Sequence, residues 1–144
     1  MPIPASWNSF PTASTASPAT RWPCASRRNS QGTGSACGPS IPRFAAPFTP
    51  CVEIGWRLAF DHWRQGYATE AARLALARGF GPLALPAVVS FTAVANRRSR
   101  AVMERLGMTR GPAEGFDLPT LPQGHPLGRQ MLYRLGAGEH VARG

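Results

Sequence analysis

The chain has no lysine at all; its 16 basic residues are all arginine. Acidic residues are scarce too, seven in total, and none of them lies within residues 1–50. Only three cysteines occur, Cys24, Cys37 and Cys51, and no two of them form a CxxC pair. An odd count with no secretory signal points to free thiols and away from a disulfide framework. The three histidines, at 62, 125 and 140, stand at no helical spacing from one another, so no metal site is expected. No apolar run is long enough to cross a bilayer, and no basic-then-apolar leader is visible. The expectation is a soluble, cytoplasmic protein with no membrane partner.

What is present is a 144-residue chain, 43% hydrophobic, with room for one packed domain. Its net charge of +9 raises the question of nucleic acid. The distribution of that charge argues against it. Residues 1–50 hold four arginines and no acid, whereas residues 51–144 hold twelve arginines and seven acids, a surplus of five. Arginine without lysine fits a GC-rich coding bias better than a choice of chemistry. Nucleic acid is not the expected partner, and an arginine-rich nucleic-acid-binding protein is retained as the alternative reading.

Residues 1–40 are dominated by proline, serine, threonine, alanine and glycine, without helical or strand periodicity. Such a segment buries too little apolar surface to offset its ordering entropy. It reads as a disordered arm, a transit peptide, or the product of a shifted reading frame joined to a genuine domain. From about Ile41 the character changes. In "CVEIGWRL" (Cys51–Leu58), Val52, Ile54, Trp56 and Leu58 share one face and Glu53, Gly55 and Arg57 the other: a half-buried strand with a bare spot. A helix follows from about Tyr67 to Phe80, stopped by Gly81-Pro82. "AVVSFTAV" (Ala87–Val94) is a second strand, and Asn96 caps a helix that Gly107 ends in the left-handed conformation. Met108-Thr109-Arg110 can begin a short strand, Arg129–Leu135 is a last one, and residues 136–144 are a flexible tail. The fold class is α/β, with both helices able to cover a sheet.

The helix at Tyr67 opens on "HWRQGYATEAARLAL", with Gly66 two residues before Ala68. Free N–H groups and the positive end of the helix dipole suit a phosphate there, and glycine lets a ligand approach the backbone. A tight strand-to-helix turn, with glycine for geometry alone, is the competing explanation. Neither GxxxxGK[ST] nor GxGxxG occurs.

Together, "VEIGWRLAFDHWRQGYATEAARLAL" and "VVSFTAVANRRSRAVMERLGM" resemble the GNAT superfamily of acyl-CoA-dependent N-acetyltransferases, nearest to the branch of ribosomal-protein N-terminal acetyltransferases. The family's phosphate pattern, Q/R-x-x-G-x-G/A, corresponds to Trp63-Arg64-Gln65-Gly66-Tyr67-Ala68, with Trp63 in place of Gln or Arg. The resemblance covers about residues 41–135 and implies a mixed sheet with flanking helices, here lacking its first strands and helices. That missing front half is why the shifted-frame reading of residues 1–40 is favoured.

The resemblance implies acetyl transfer from acetyl-CoA, as co-substrate, to a primary amine by direct attack. The enzyme must position the reactants, accept a proton from the ammonium, stabilise the oxyanion and protonate the thiolate. Backbone groups of Trp56, Arg57 and Leu58 are expected to meet pantetheine and the carbonyl oxygen on a strand splayed from Ala87–Val94. Arg64, Gln65, Gly66, Tyr67, Ala68 and Thr69 would hold the diphosphate. Glu53 is the candidate base, with a surface pair to Arg57 as its structural alternative. Asn96 and Ser99 form N-x-x-S, either an ordinary cap or, by the resemblance, a pantetheine contact and a thiolate proton donor. The tyrosine many relatives use as donor is replaced by Met103, which favours Ser99. Arg97, Arg98 and Arg100 are candidates for the 3′-phosphate or a solvated face. His125 can line the acceptor pocket or simply shape its loop, and Tyr133 is expected to pack. By the resemblance, relatives carry "FDHP" where this chain has Phe116-Asp117-Leu118-Pro119, and histidine where Gln130 stands; if those histidines act on the acceptor, its chemistry here is altered. An inactive acetyltransferase fragment is a further alternative, and a homodimer is left open.

Overall fold

Alternating apolar side chains in "EIGWR" make a strand, and a computed structural model shows which strands it joins. The structure describes residues 27–28, 34–40, 42, 44–46, 48–49, 51–111 and 114–141. Its strands are β1 (Arg27–Arg28), β2 (Gly34–Ser40), β3 (Glu53–Arg57), β4 (Ala87–Ala93), β5 (Gly115–Asp117) and β6 (Arg129–Gly136). Its helices are α1 (Tyr67–Phe80), α2 (Arg97–Arg105) and α3 (Ala137–Val141), with a 3-10 turn at Phe60–His62. The strands form one mixed sheet in the order β1-β2-β3-β4-β6-β5.

Each face of the sheet has its own core. Ile54, Val88, Tyr133 and Leu135 meet Ala72 and Leu76 of α1 and Val102 and Met103 of α2. Alanines at 68, 71, 72 and 75 let α1 lie close to the strands. On the opposite face, Val89 and Leu132 lie under Phe48 and Cys51, with Phe44, Phe91 and Phe116 packed around them. Phe48 and Phe116 meet edge to face, with ring centroids 4.9 Å apart.

Three sequence expectations need correction. The sheet reaches into the segment expected to lack structure, since β2 pairs antiparallel with β3 from Ala36↔Arg57 to Ser40↔Glu53. β1 (Arg27–Arg28) pairs antiparallel with β2 as well, and residues 1–26 and 29–33 lie outside the described residues. The tail does not fray at Gly136. Glu139 accepts the Gly136 N–H at 2.9 Å, Ala137 N–H donates to Pro86, and His140 packs on Phe80, so five residues wind into α3. Thr109 makes only an isolated bridge to Arg134 instead of starting a strand. The strand beside β6 is Gly115–Asp117.

β3 and β4 run parallel but stay in register only at Glu53↔Val89 among the described residues. The next pair, Gly55 with Phe91, is not made. There the buried Ser90 hydroxyl donates to the Ile54 carbonyl at 2.8 Å. A side chain thus occupies an acceptor at the point where the two strands part. Ser90→Ala should lower unfolding free energy by about 1–2 kcal/mol through loss of that buried bond, measurable by urea denaturation.

Cys51 is buried, and its thiol pKa is pushed from 9.0 to about 11, first by desolvation and then by the charge of Glu53, with Arg134 opposing. The folded state therefore holds this proton more tightly than the unfolded chain. The Cys51 contribution to stability is complete below about pH 9 and is lost as pH rises toward 11. Denaturation of a Cys24→Ser/Cys37→Ser variant across that range should show the decline, and Cys51→Ala in the same background should lessen it.

Candidate cofactor cleft

Between β3 and α1 the chain turns through a tightly tied loop. Trp63 Nε1–H donates to Leu58 O at 2.9 Å, and Gln65 Nε2–H donates to Asp61 O at 2.8 Å. These two bonds bracket Arg64, which sits in the left-handed region at φ 61° despite having a side chain. Gly66 follows at φ 81°, and a Cβ added there would meet nothing within 4 Å. Gly66 O accepts the first helical bond, from Glu70 N, so the N–H groups of Tyr67, Ala68 and Thr69 have no partner within the helix. Among the described residues, no side chain caps this end of α1, whose N-cap is Gly66. This uncapped, positively polarised helix start leaves room among the described residues at Gly66 for a phosphate.

The first position of the phosphate pattern, Trp63, serves the loop in its own way. Its ring packs against Phe60, centroids 4.9 Å apart, and the Arg98 guanidinium lies over it at 4.5 Å. This cation–π contact ties the loop to α2. Of the three arginines considered for the 3′-phosphate, Arg98 is the one held beside the loop. Arg100 is turned to the end of β4, where Nη1 donates to Val94 O at 3.2 Å.

Where β3 and β4 diverge, the side chains divide between the two faces. Ile54 and Trp56 belong to the helix-side core, so Glu53, Gly55 and Arg57 face the other way. The Glu53 carboxylate reaches over Gly55, with Oε1 3.7 Å from where a Cβ would stand, and Gly55 lies opposite Gly38 of β2. The expected bare spot is therefore two glycines wide.

On the helix side, α2 begins as predicted, with Asn96 Oδ1 accepting Ser99 N–H at 3.2 Å. The Asn96 amide nitrogen donates to Thr92 Oγ1 at 3.0 Å and to Ser99 Oγ at 3.1 Å, and Trp56 Nε1 reaches the same Ser99 oxygen at 3.3 Å. Both amide hydrogens of Asn96 are thus used internally, leaving a lone pair on Oδ1 for any ligand. Ser90, Thr92 and the Trp63–Arg98 pair were missed by sequence reasoning. For Ser90 the signal was a lone hydroxyl in the middle of an otherwise apolar strand.

His125 Nδ1 accepts Leu127 N–H at 3.1 Å and so shapes the β5–β6 loop. Gln130 donates to Leu127 O, and Tyr133 is buried, with its hydroxyl donating to Glu104 at 3.1 Å. Met103 is core.

The pattern that defines the family described as "Acetyltransferase (GNAT) domain" matches residues 6–109. The chain belongs to the GNAT acetyltransferase family. The match begins well inside the segment that composition had set apart from the domain. YnaD, an uncharacterized N-acetyltransferase of Bacillus subtilis, is 32% identical over 83 residues, covering 58% of this chain and 47% of that protein. FsC-acetyl coenzyme A-N(2)-transacetylase of Aspergillus fumigatus is 41% identical over 61 residues, 42% of this chain and 26% of that protein. Among solved structures, an acetyltransferase from Agrobacterium tumefaciens superposes with TM-score 0.51 at 32% identity, over 74% of this chain and 56% of that one. A spermidine N-acetyltransferase from Vibrio cholerae, SpeG, at 16% identity and TM-score 0.60 over 81% of this chain and 64% of that one, shares the fold. This GNAT chain spans about half the length of YnaD and of the Agrobacterium enzyme.

Gly66→Ala should cost about 1–2 kcal/mol, all of it backbone strain since the site is open. Arg64→Gly should instead raise stability by up to about 1 kcal/mol by relieving the left-handed strain. Urea midpoints moving in opposite directions for the two variants would check this.

Proposed function

We propose that the chain binds acetyl-CoA and transfers its acetyl group to a primary amine by direct attack. The observation that carries this reading is the parting of β3 from β4 beside the uncapped start of α1. The N–H groups of Tyr67, Ala68 and Thr69, with Gly66 leaving room and Arg64 and Gln65 shaping the turn, hold the diphosphate. The main-chain groups of Trp56, which point toward the gap, together with Arg57 and Leu58 beside them, take the pantetheine arm and the thioester oxygen, and Asn96 Oδ1 offers an acceptor. Residues 34–141 form the acting unit, wider than the 41–135 expected.

The gap works as a window through the sheet. Glu53 stands on one face and Ser99 on the other. The amine approaches from the Glu53 side, and the carboxylate removes its proton, directly or through water. As the amine nitrogen bonds to the carbonyl carbon, the carbon–sulfur bond breaks toward Ser99, whose hydroxyl protonates the departing sulfur. The acceptor is a primary amine on a small molecule or at a protein N-terminus. The 41% identity to the fungal acetyl coenzyme A-N(2)-transacetylase supports an amine acceptor.

Acetyl-CoA at 100 times its Kd should raise unfolding free energy by about 2.7 kcal/mol, seen as a higher melting temperature. Thiol release with a panel of primary amines should detect turnover, with Glu53→Gln lowering kcat by about a hundredfold. No melting shift with acetyl-CoA at millimolar concentration would overturn the reading.

A further inference from the structure

Ser99 has a neighbour whose side chain the reaction above does not use. A backbone N–H can only donate, so the Asn96 atom 3.2 Å from Ser99 N is the oxygen and the other amide atom is the nitrogen. That fixes Asn96 Nδ2 as a donor to Ser99 Oγ at 3.1 Å. The indole Nε1 of Trp56 is likewise only a donor, and it reaches the same oxygen at 3.3 Å. A serine hydroxyl has two lone pairs and one proton. Both lone pairs are taken by N–H donors, so the proton must point away from both.

We propose that Trp56 is a positioning residue: its indole, together with the Asn96 amide, turns the Ser99 hydroxyl into a one-way donor aimed at the leaving sulfur. This rests on the acetyl-transfer reading of the same cleft. When the carbon–sulfur bond breaks, its electron pair goes to sulfur, and sulfur takes the Ser99 proton. Water restores the Oγ–H, and the net proton is the one lost by the attacking amine. The two N–H donors also stabilise Oγ while it carries extra negative charge. Packing alone does not require an indole here. Trp56 is half-buried against the helix-side core, and phenylalanine would keep an aromatic ring there without the N–H.

The test is Trp56→Phe in the full chain, with acetyl-CoA as donor and hydroxylamine as a small amine probe. Loss of the N–H should lower kcat about five- to tenfold, with KM for acetyl-CoA unchanged within about twofold. With phenyl thioacetate, whose arenethiolate leaves without needing a proton, the loss should shrink to under about twofold. Equal losses with both donors, a change confined to KM, or full kcat with acetyl-CoA would each overturn the proposal. Independently of that variant's folding, the Trp56 indole N–H resonance of the wild-type chain should move upfield in Ser99→Ala, and an unmoved resonance would also overturn it. Ser99→Ala separates the two levels of the argument. If it lowers kcat and Trp56→Phe does not, the Trp56 inference fails alone; if the wild-type chain neither binds nor turns over acetyl-CoA, both fail.

Discussion

The hydrogen bond from the Ser90 hydroxyl to the Ile54 carbonyl sits where two parallel strands stop pairing, and the cleft depends on that stop. Gly55 and Arg57 pair with β2; had β3 and β4 kept their register, the main-chain groups of Trp56 would also have been spent inside the sheet. Parted, they remain available along an open edge, and unpaired backbone is costly unless something else satisfies it. The sheet therefore gives up part of its own pairing to create a place for an extended, polar ligand. The two cores, one under the helices and one under Phe44 and Phe48, grip the paired ends of the strands and hold that divergence open.

The same economy appears at the start of α1. Its first N–H groups are left uncapped, and the loop before it carries a left-handed arginine held by side-chain bonds from Trp63 and Gln65. Such strain persists only where surrounding contacts over-determine it, and here it shapes the approach to an anion-binding helix end. Arg98, stacked on Trp63, adds a cation at the edge of this loop. Charge in the cleft is thus local and placed, in contrast to the diffuse arginine surplus of the whole chain.

Much of this was legible in the sequence because it lies in short-range chemistry. The bounds Tyr67–Phe80 follow from Gly66 before the helix and Gly81-Pro82 after it, and Asn96 and Gly107 mark the ends of α2 by their capping roles. The family pattern at Gly66 and Ala68 was equally local. What escaped was pairing between distant segments. β2 is poor in strand-forming residues and exists because β3 offers it a partner, and β5 is three residues long and leans on β6. The α3 turn depends on Glu139 reaching back to Gly136 and on Pro86 from another part of the chain. At the site, Asn96 and Ser99 could be named from their spacing, but the indole of Trp56 arriving from 43 residues away could not.

The most direct measurement is a two-dimensional amide NMR titration of the chain with CoA. The account predicts that the largest shifts fall on Gly66, Tyr67, Ala68 and Thr69 and on Trp56 and Leu58, the two stretches of backbone that border the gap. Shifts scattered over the arginine-bearing surface, with those amides unmoved at saturation, would contradict it.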